Sequence, residues 1–262
     1  MKIIFEIYYH TRWGESLFLS GDIDELGANE ENRAVMMDYQ GDGLWKYTME
    51  LPASAKKFHY EYLVKSGEGI RREWGSPHSF SPGRNAGKYR LVDRWRDVPA
   101  NLPFYSSAFI QGIFFRQHAD SVVETIEQGT FTVKVDAPQL RPDERLVMVG
   151  DCPELGDWDV LKAPLLNDSA FPEWQITLDG RQLKFPFEYK FVIVRTHQRE
   201  VVAWETGENR ICREKPQNPS EAVVVSGLRF NGSESQWRGA GTAIPVFSLR
   251  TDYGFGIGSL SI

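Results

Sequence analysis

The chain has 262 residues but only two cysteines, Cys152 and Cys212. So few cannot form a disulfide scaffold or a cysteine-rich zinc module. Two free thiols are expected, although the spacing permits a bond. No stretch approaches the ~18 consecutive apolar residues of a membrane-spanning helix. The opening Met1-Lys-Ile-Ile-Phe5 meets Glu6 before it reaches the roughly 7–15 apolar residues of a signal-peptide core. A cytoplasmic protein with no membrane partner is therefore expected, and the Asn-x-Ser triplets at Asn167 and Asn231 carry no weight as glycosylation sites. Positive charge is in deficit: 30 Lys and Arg stand against 36 Asp and Glu, a net charge of −6. That balance disfavours a nucleic-acid partner, which a basic surface would hold. The five histidines (His10, His59, His78, His118, His197) lack ligand spacing, so neither a metal nor a cofactor is expected. Gly83–Lys88 is one residue too short for a phosphate loop and lacks its Ser/Thr. Long 3.6-residue periodicity is absent too; Glu25–Asn32 and Asp159–Leu165 could each hold a helical turn at most.

What the chain does have is aromatic residues: 8 Trp, 10 Tyr and 16 Phe. It also repeats itself. Gly21-Asp-Ile-Asp-Glu-Leu-Gly27 returns as Gly150-Asp-Cys-Pro-Glu-Leu-Gly156, with five of seven positions identical at an offset of 129. Trp45 pairs with Trp174 at 129, Phe58-His-Tyr-Glu-Tyr62 with Phe185-Pro-Phe-Glu-Tyr189 at 127, and Trp74 with Trp204 at 130. Landmarks in one order with so little drift imply a tandem duplication of a module of ~100 residues, and hence two domains.

Each copy reads as all-β. Lys2–Tyr9, Ser16–Ser20, Leu44–Leu51, Lys57–Lys65 and Gly87–Val92 are short alternating or apolar runs separated by turn residues. Thr130–Ala137, Arg145–Val149, Glu173–Leu178, Phe185–Val194 and Glu221–Val225 repeat the plan. The predicted fold is two tandem immunoglobulin-like antiparallel β-sandwiches. The copies occupy residues 1–98 and 129–229, joined by residues 99–128, whose Phe104–Phe115 is apolar enough to pack. Residues 230–262 begin with a linker rich in Asn, Gly and Ser.

Sugars present apolar C–H faces edged by hydroxyls, which a flat aromatic ring and neighbouring polar groups can match. Trp45 and Trp174 sit inside alternating strands and are expected in the core. Trp158 and Trp204 are loop-adjacent and flanked by acids; periodicity leaves core and surface open for them, as it does for Trp13. Lys190 alternates with Tyr189 and Phe191, so it points to the opposite strand face.

Gly150–Trp158, Phe187-Glu-Tyr-Lys-Phe191 and Trp204-Glu-Thr-Gly-Glu-Asn-Arg210 together resemble the starch-binding domains of family 20 of the carbohydrate-binding modules. The resemblance implies a main glucan site of Trp158, Trp204 and Lys190, with Glu205 and Asn209 as polar contributors. In the first copy it implies a weakened site: Ala28-Asn29 follows Leu26-Gly27, Leu63 stands at the lysine position, and Trp74 survives. It also implies a second site in the first copy at Trp13 and Tyr39, where the second copy has Pro142 at the first position. Trp237–Gly258 resembles the opening of the (β/α)8 catalytic barrel of family 77 glycoside hydrolases, the 4-alpha-glucanotransferases of amylomaltase or disproportionating type. Retaining glycosyl transfer needs two carboxylates ~5–5.5 Å apart. No pair here stands out, so the expected catalytic residues are none, and the expected ligands are α-1,4-glucans: starch, glycogen and maltooligosaccharides. The expectation is a glucan-binding portion of a 4-alpha-glucanotransferase that moves glucan segments between maltose and branched glucans. A non-catalytic glucan-binding scaffold and a sandwich that binds protein are the alternatives.

Overall fold

The computed structural model describes residues 1–83, 87–99, 102–106 and 125–232. Most of Phe104–Phe115 and the barrel-like stretch after Gly232 lie outside them. Among the described residues the chain is all-β, broken only by short 3-10 turns. The first half contributes β1 (Lys2–Tyr8), β2 (Ser16–Gly21), β3 (Val35–Met36), β4 (Asp38–Gly41), β5 (Leu44–Glu50), β6 (Phe58–Ser66), β7 (Gly69–Arg72), β8 (His78–Phe80) and β9 (Lys88–Arg94). The second half contributes β10 (Thr130–Asp136), β11 (Glu144–Gly150), β12 (Asn167–Ala170), β13 (Glu173–Asp179), β14 (Phe187–Arg195), β15 (Val201–Trp204), β16 (Arg210–Cys212) and β17 (Ala222–Arg229). The order repeats strand for strand, except that an isolated Val147–Leu165 bridge stands where β3 would be.

The predicted strands are all present. The runs missed by sequence reading (β3, β4, β7, β8, β12, β15, β16) are two to four residues long and mostly half-exposed or exposed. Strands so short hold too few alternations to register as a pattern.

The expectation of two separate antiparallel sandwiches needs revising. β9 and β17 pair in parallel, with Val224 opposite Leu91 and Val225 opposite Val92. One continuous sheet results, in the order β12-β13-β10-β17-β9-β1-β5-β4, and two further pairs, β1 with β9 and β10 with β17, are also parallel. Each half closes its own sandwich with a second sheet, β3-β2-β6-β7 with β8 in the first and β11-β14-β15 with β16 in the second. Alternation sends Ala222 and Val224 into the first half's core and Val92 into the second half's. Residues paired across strands point the same way, so the two cores lie on opposite faces of the shared sheet. Each such buried valine contributes about 1.5–3 kcal/mol.

The internal comparison is close. Trp45 and Trp174 are both buried, as their strand positions predict, and each indole donates to a backbone carbonyl two residues beyond its cross-strand partner, Tyr9 at 3.0 Å and Ala137 at 3.1 Å. Cys152 and Cys212 are buried free thiols in the second core.

Polar groups lock the seam. Arg90 donates to the carbonyls of Glu214 and Lys215, at 3.0 and 2.6 Å, and Arg94 meets the Glu214 carboxylate at 2.7 Å. Ser226 of β17 donates to the fully buried Asp93 of β9 at 2.6 Å, and Tyr60 and Tyr62 donate to the other Asp93 oxygen. His78 is engaged at both ring nitrogens, by Ser226 and by Glu73. Burial raises the pKa of Glu73, but His78 and Arg96 outweigh it and bring the carboxyl down to about 2.

Candidate functional site

In the second half, Val149 of β11 stands opposite Lys190 of β14, and Val192 opposite Trp204 of β15. Strand alternation puts Lys190, Val192, Val194 and Trp204 on the outer face, while Tyr189, Phe191 and Ile193 enter the core. Val147, Val149, Val192 and Val194 form a separate small apolar cluster there, and Trp158 and Val160 pack against it. Trp158, Lys190 and Trp204 therefore share one surface.

Local chemistry fixes each of them. β11 ends at Gly150, where a side chain would bring a Cβ within 2.4 Å of the Glu188 carbonyl oxygen. The turn Pro153–Leu155 closes on Gly156 at φ +82°, a conformation that glycine adopts without steric cost. Asp157 and Trp158 then take φ of +50° and +64°, and the Trp158 amide donates to the Gly150 carbonyl at 2.7 Å. Positive φ at a non-glycine costs of order 1–3 kcal/mol and persists only where its surroundings hold it. Arg199, in the β14–β15 turn, supplies part of that hold: its guanidinium donates to the carbonyls of Leu161 at 2.8 Å and Ala163 at 2.7 Å. Sequence reading missed Arg199, because a turn arginine gives no sign of which backbone it will reach.

Trp204 is 44% exposed. The Lys190 ammonium donates to the carbonyls of Glu205 at 3.1 Å and Gly207 at 2.6 Å, which leaves one of its three hydrogens for an incoming oxygen. Asn209 donates to the Glu188 carboxylate at 2.8 Å, and Glu188, two residues before Lys190, lies on the same face. Glu205 departs from its expected role. It is 4% exposed, bound by the Arg210 guanidinium through Nε at 2.9 Å and again through Nη2, and it accepts from the Asn231 amide. It braces the hairpin behind Trp204 and presents nothing to solvent.

The first half has the same backbone and different side chains. Asn29 holds φ of +64° and donates to the Gly21 carbonyl at 2.7 Å, after Ala28 at +51°. Asn29 thus replaces Trp158. Ser20 stands opposite Glu61 and Leu63 opposite Arg72, so Glu61 and Arg72 occupy the positions of Lys190 and Trp204. This corrects the sequence alignment, which put Leu63 at the lysine position and Trp74 opposite Trp204. Phe58-His-Tyr-Glu-Tyr62 superposes on Phe187-Glu-Tyr-Lys-Phe191, not on Phe185–Tyr189. A period-two aromatic pattern matches itself after a two-residue slip, so the sequence could not choose between the registers. Arg72 pairs with both Glu61 and Glu31, and an ion-pair cluster covers the surface where the second half presents two indoles.

Trp74 follows Glu73, whose carboxylate accepts from the Tyr62 amide as Glu205 accepts from Phe191. It is therefore the counterpart of Thr206. Its indole packs edge-on to Tyr105, 4.9 Å between centroids, with the Arg229 guanidinium 5.5 Å over the ring, and so it turns toward the second half.

Trp13 is wholly exposed, at 105%. Its turn is held, however: Glu15 accepts from the Arg12 amide at 2.8 Å and pairs with Arg71 at 3.4 Å. Tyr39 is 56% exposed, and its hydroxyl accepts from the Gly43 amide, while the Gly43 carbonyl accepts from Tyr9 at the start of the Trp13 loop. Both aromatics thus belong to one end of the first half.

The starch binding domain family matches residues 1–85 and 128–223. Over 98% of its length the chain is 28% identical to the 4-alpha-glucanotransferase DPE2 of Oryza sativa subsp. japonica, covering 29% of that protein. A 73-residue stretch, 26% of the chain, is 32% identical to 18% of the AA13 family lytic polysaccharide monooxygenase A of Aspergillus terreus. The chain thus spans under a third of the curated relatives it matches. Among solved structures, the family 20 carbohydrate-binding module of a maltotetraose-forming amylase from Pseudomonas saccharophila aligns at 19% identity with a TM-score of 0.30, covering 37% of this chain and 99% of that one.

Proposed function

The chain belongs to the starch-binding domain family, and on that premise we propose that its second half binds α-1,4-glucan on the face carrying Trp158, Lys190 and Trp204. The observation behind this is that two indoles and an ammonium with a spare hydrogen share one sheet face, where a sugar can stack and bond at once. Asn209 and Glu188 add a donor and an acceptor at its margin. The first half contributes a second, weaker contact at Trp13 and Tyr39, and its own main site is disabled by Glu31, Glu61 and Arg72. The two binding domains span residues 1–98 and 129–229. The full-length protein is a cytoplasmic 4-alpha-glucanotransferase, with its catalytic barrel beginning in residues 230–262. Its binding domains hold a branched glucan near that barrel; stacking on them adds to substrate binding and not to transition-state stabilisation.

Calorimetric titration of maltoheptaose into the chain and into Trp158→Ala/Trp204→Ala tests this. The double substitution is expected to weaken binding at the main site at least about 100-fold, or about 2.8 kcal/mol. The remaining weak binding should fall further with Trp13→Ala. An unchanged isotherm in the double variant would refute the assignment.

A further inference from the structure

Where the first sandwich rises from the shared sheet, it leaves a cleft of about 1080 Å³ between the halves. Its floor is the outer face of β10, β13 and β12, which presents Lys134, Asp136, Glu173, Gln175 and Asn167. Its wall is the edge of the first half, from Asn29 and His59 to Ser79, with Trp74 and Tyr105 as the aromatic part.

Three features define what such a cleft accepts. First, its charges cancel: Lys57, Arg96 and Lys134 face Asp22, Asp136 and Glu173. A multiply charged anion or a cation would meet as much repulsion as attraction, whereas a neutral ligand with many hydroxyls can use donors and acceptors together. Second, part of its polar capacity is unspent. Arg96 commits Nε to Glu73 at 3.0 Å, yet its buried Nη2 meets no acceptor among the described residues. Buried polar atoms without partners are rare and mark places where something else bonds. Burial and the neighbouring Glu173 carboxylate, opposed by Arg96 and Arg229, push Asp136 up to about 6, as happens where polar groups converge in a concave site. Third, Trp74 is half-buried and fixed, its amide donating to the Arg96 carbonyl at 2.7 Å and one ring face covered by Arg229.

From these we infer that the cleft between the halves is a further α-glucan subsite, in which Trp74 stacks on a sugar and the floor of β10, β13 and β12 bonds its hydroxyls. The inference rests on the starch-binding reading but uses none of the residues of the main site. It also explains why a tryptophan stands at position 74 where the second half has a threonine.

The test is calorimetry and tryptophan-fluorescence titration with maltoheptaose on the full chain carrying Trp13→Ala, Tyr39→Ala, Trp158→Ala and Trp204→Ala. This variant should still bind with one-site stoichiometry, and adding Trp74→Ala should weaken that binding at least tenfold while Trp74→Phe preserves most of it. Gln175→Arg, which fills the floor without touching Trp74, should weaken it equally and covers the case in which Trp74→Ala fails to fold. If the wild-type chain binds but the fourfold variant does not, the cleft is no subsite and the main-site reading stands. Residual binding indifferent to Trp74→Ala and Gln175→Arg also overturns the inference. No binding by the wild-type chain overturns both.

Discussion

The two halves place the same backbone under opposite surfaces. Ala28 and Asn29 have φ of +51° and +64°, Asp157 and Trp158 +50° and +64°, and each second residue donates to a glycine carbonyl at 2.7 Å. On this common frame the second half carries Trp158, Lys190 and Trp204, and the first carries Asn29, Glu61 and Arg72. The left-handed turn thus belongs to the fold and persists without an indole, while the two surfaces differ in the three side chains set on that frame.

Exchanging those side chains should break the comparison most sharply. Trp158→Asn/Lys190→Glu/Trp204→Arg gives the second half the first half's surface. It should reduce maltoheptaose affinity at the main site by at least 100-fold, about 2.8 kcal/mol, while the thermal midpoint falls by only a few degrees as Trp158 leaves the valine cluster; calorimetry and scanning calorimetry read the two quantities. The reverse graft, Asn29→Trp/Glu61→Lys/Arg72→Trp, should add a binding site to the first half, seen as one more ligand per chain. It should bind about tenfold more weakly than the original, because Lys65 holds the first half's loop at the single carbonyl of Glu31, whereas Arg199 holds the second half's at Leu161 and Ala163. The Arg72 ion pairs lost in the graft are half-exposed, and such pairs contribute at most about 1 kcal/mol.

Arg199→Ala should isolate that brace. With the Leu161 and Ala163 carbonyls released to water, affinity should fall roughly five- to tenfold, or about 1–1.4 kcal/mol, chiefly through faster dissociation, which stopped-flow fluorescence would resolve.

The smallest effect on the main glucan site is expected at Asp136, whose position in the first half is Tyr8 and whose substitution shows in stability instead. Glu173, Arg96, Arg229 and His78 act on it. Its folded pKa of about 6 lies above the ordinary carboxylate value, so the folded state holds this proton more tightly than the unfolded one. The resulting stabilisation is complete below about pH 4 and is lost as pH rises through 6. Asp136→Asn should therefore match the wild type near pH 4 and melt several degrees higher, about 6 °C, at pH 7.5. A constant difference across that range would exclude the titration.

Much of this was legible in the sequence, and the reasons differ by element. The repeat and the long strands showed themselves because buried alternation over seven to nine residues leaves a strong pattern, as in β6 and β14. Trp158, Lys190 and Trp204 could be named because a motif carried them. Their counterparts in the first half could not, since the aromatic ladder reads equally well two residues out of register and only strand pairing fixes it. Glu205 was misassigned because a carboxylate beside an exposed tryptophan looks the same whether it faces solvent or, as here, the guanidinium of Arg210. The β9–β17 junction was invisible, because nothing in two strands whose partners lie 133 residues apart says that they will meet.

That junction also governs how the molecule can be taken apart. In the intact chain β9 lies between β1 and β17, and β17 between β9 and β10. Cutting between the halves would turn both into edges, strands of seven and eight residues, β17 largely apolar and β9 apolar at its centre, each with a row of unsatisfied amides and carbonyls. Such edges seek another strand. An isolated half is therefore expected to self-associate through β9 or β17, so that its apparent valency for a glucan would reflect how many copies had paired, not how many sites one copy carries.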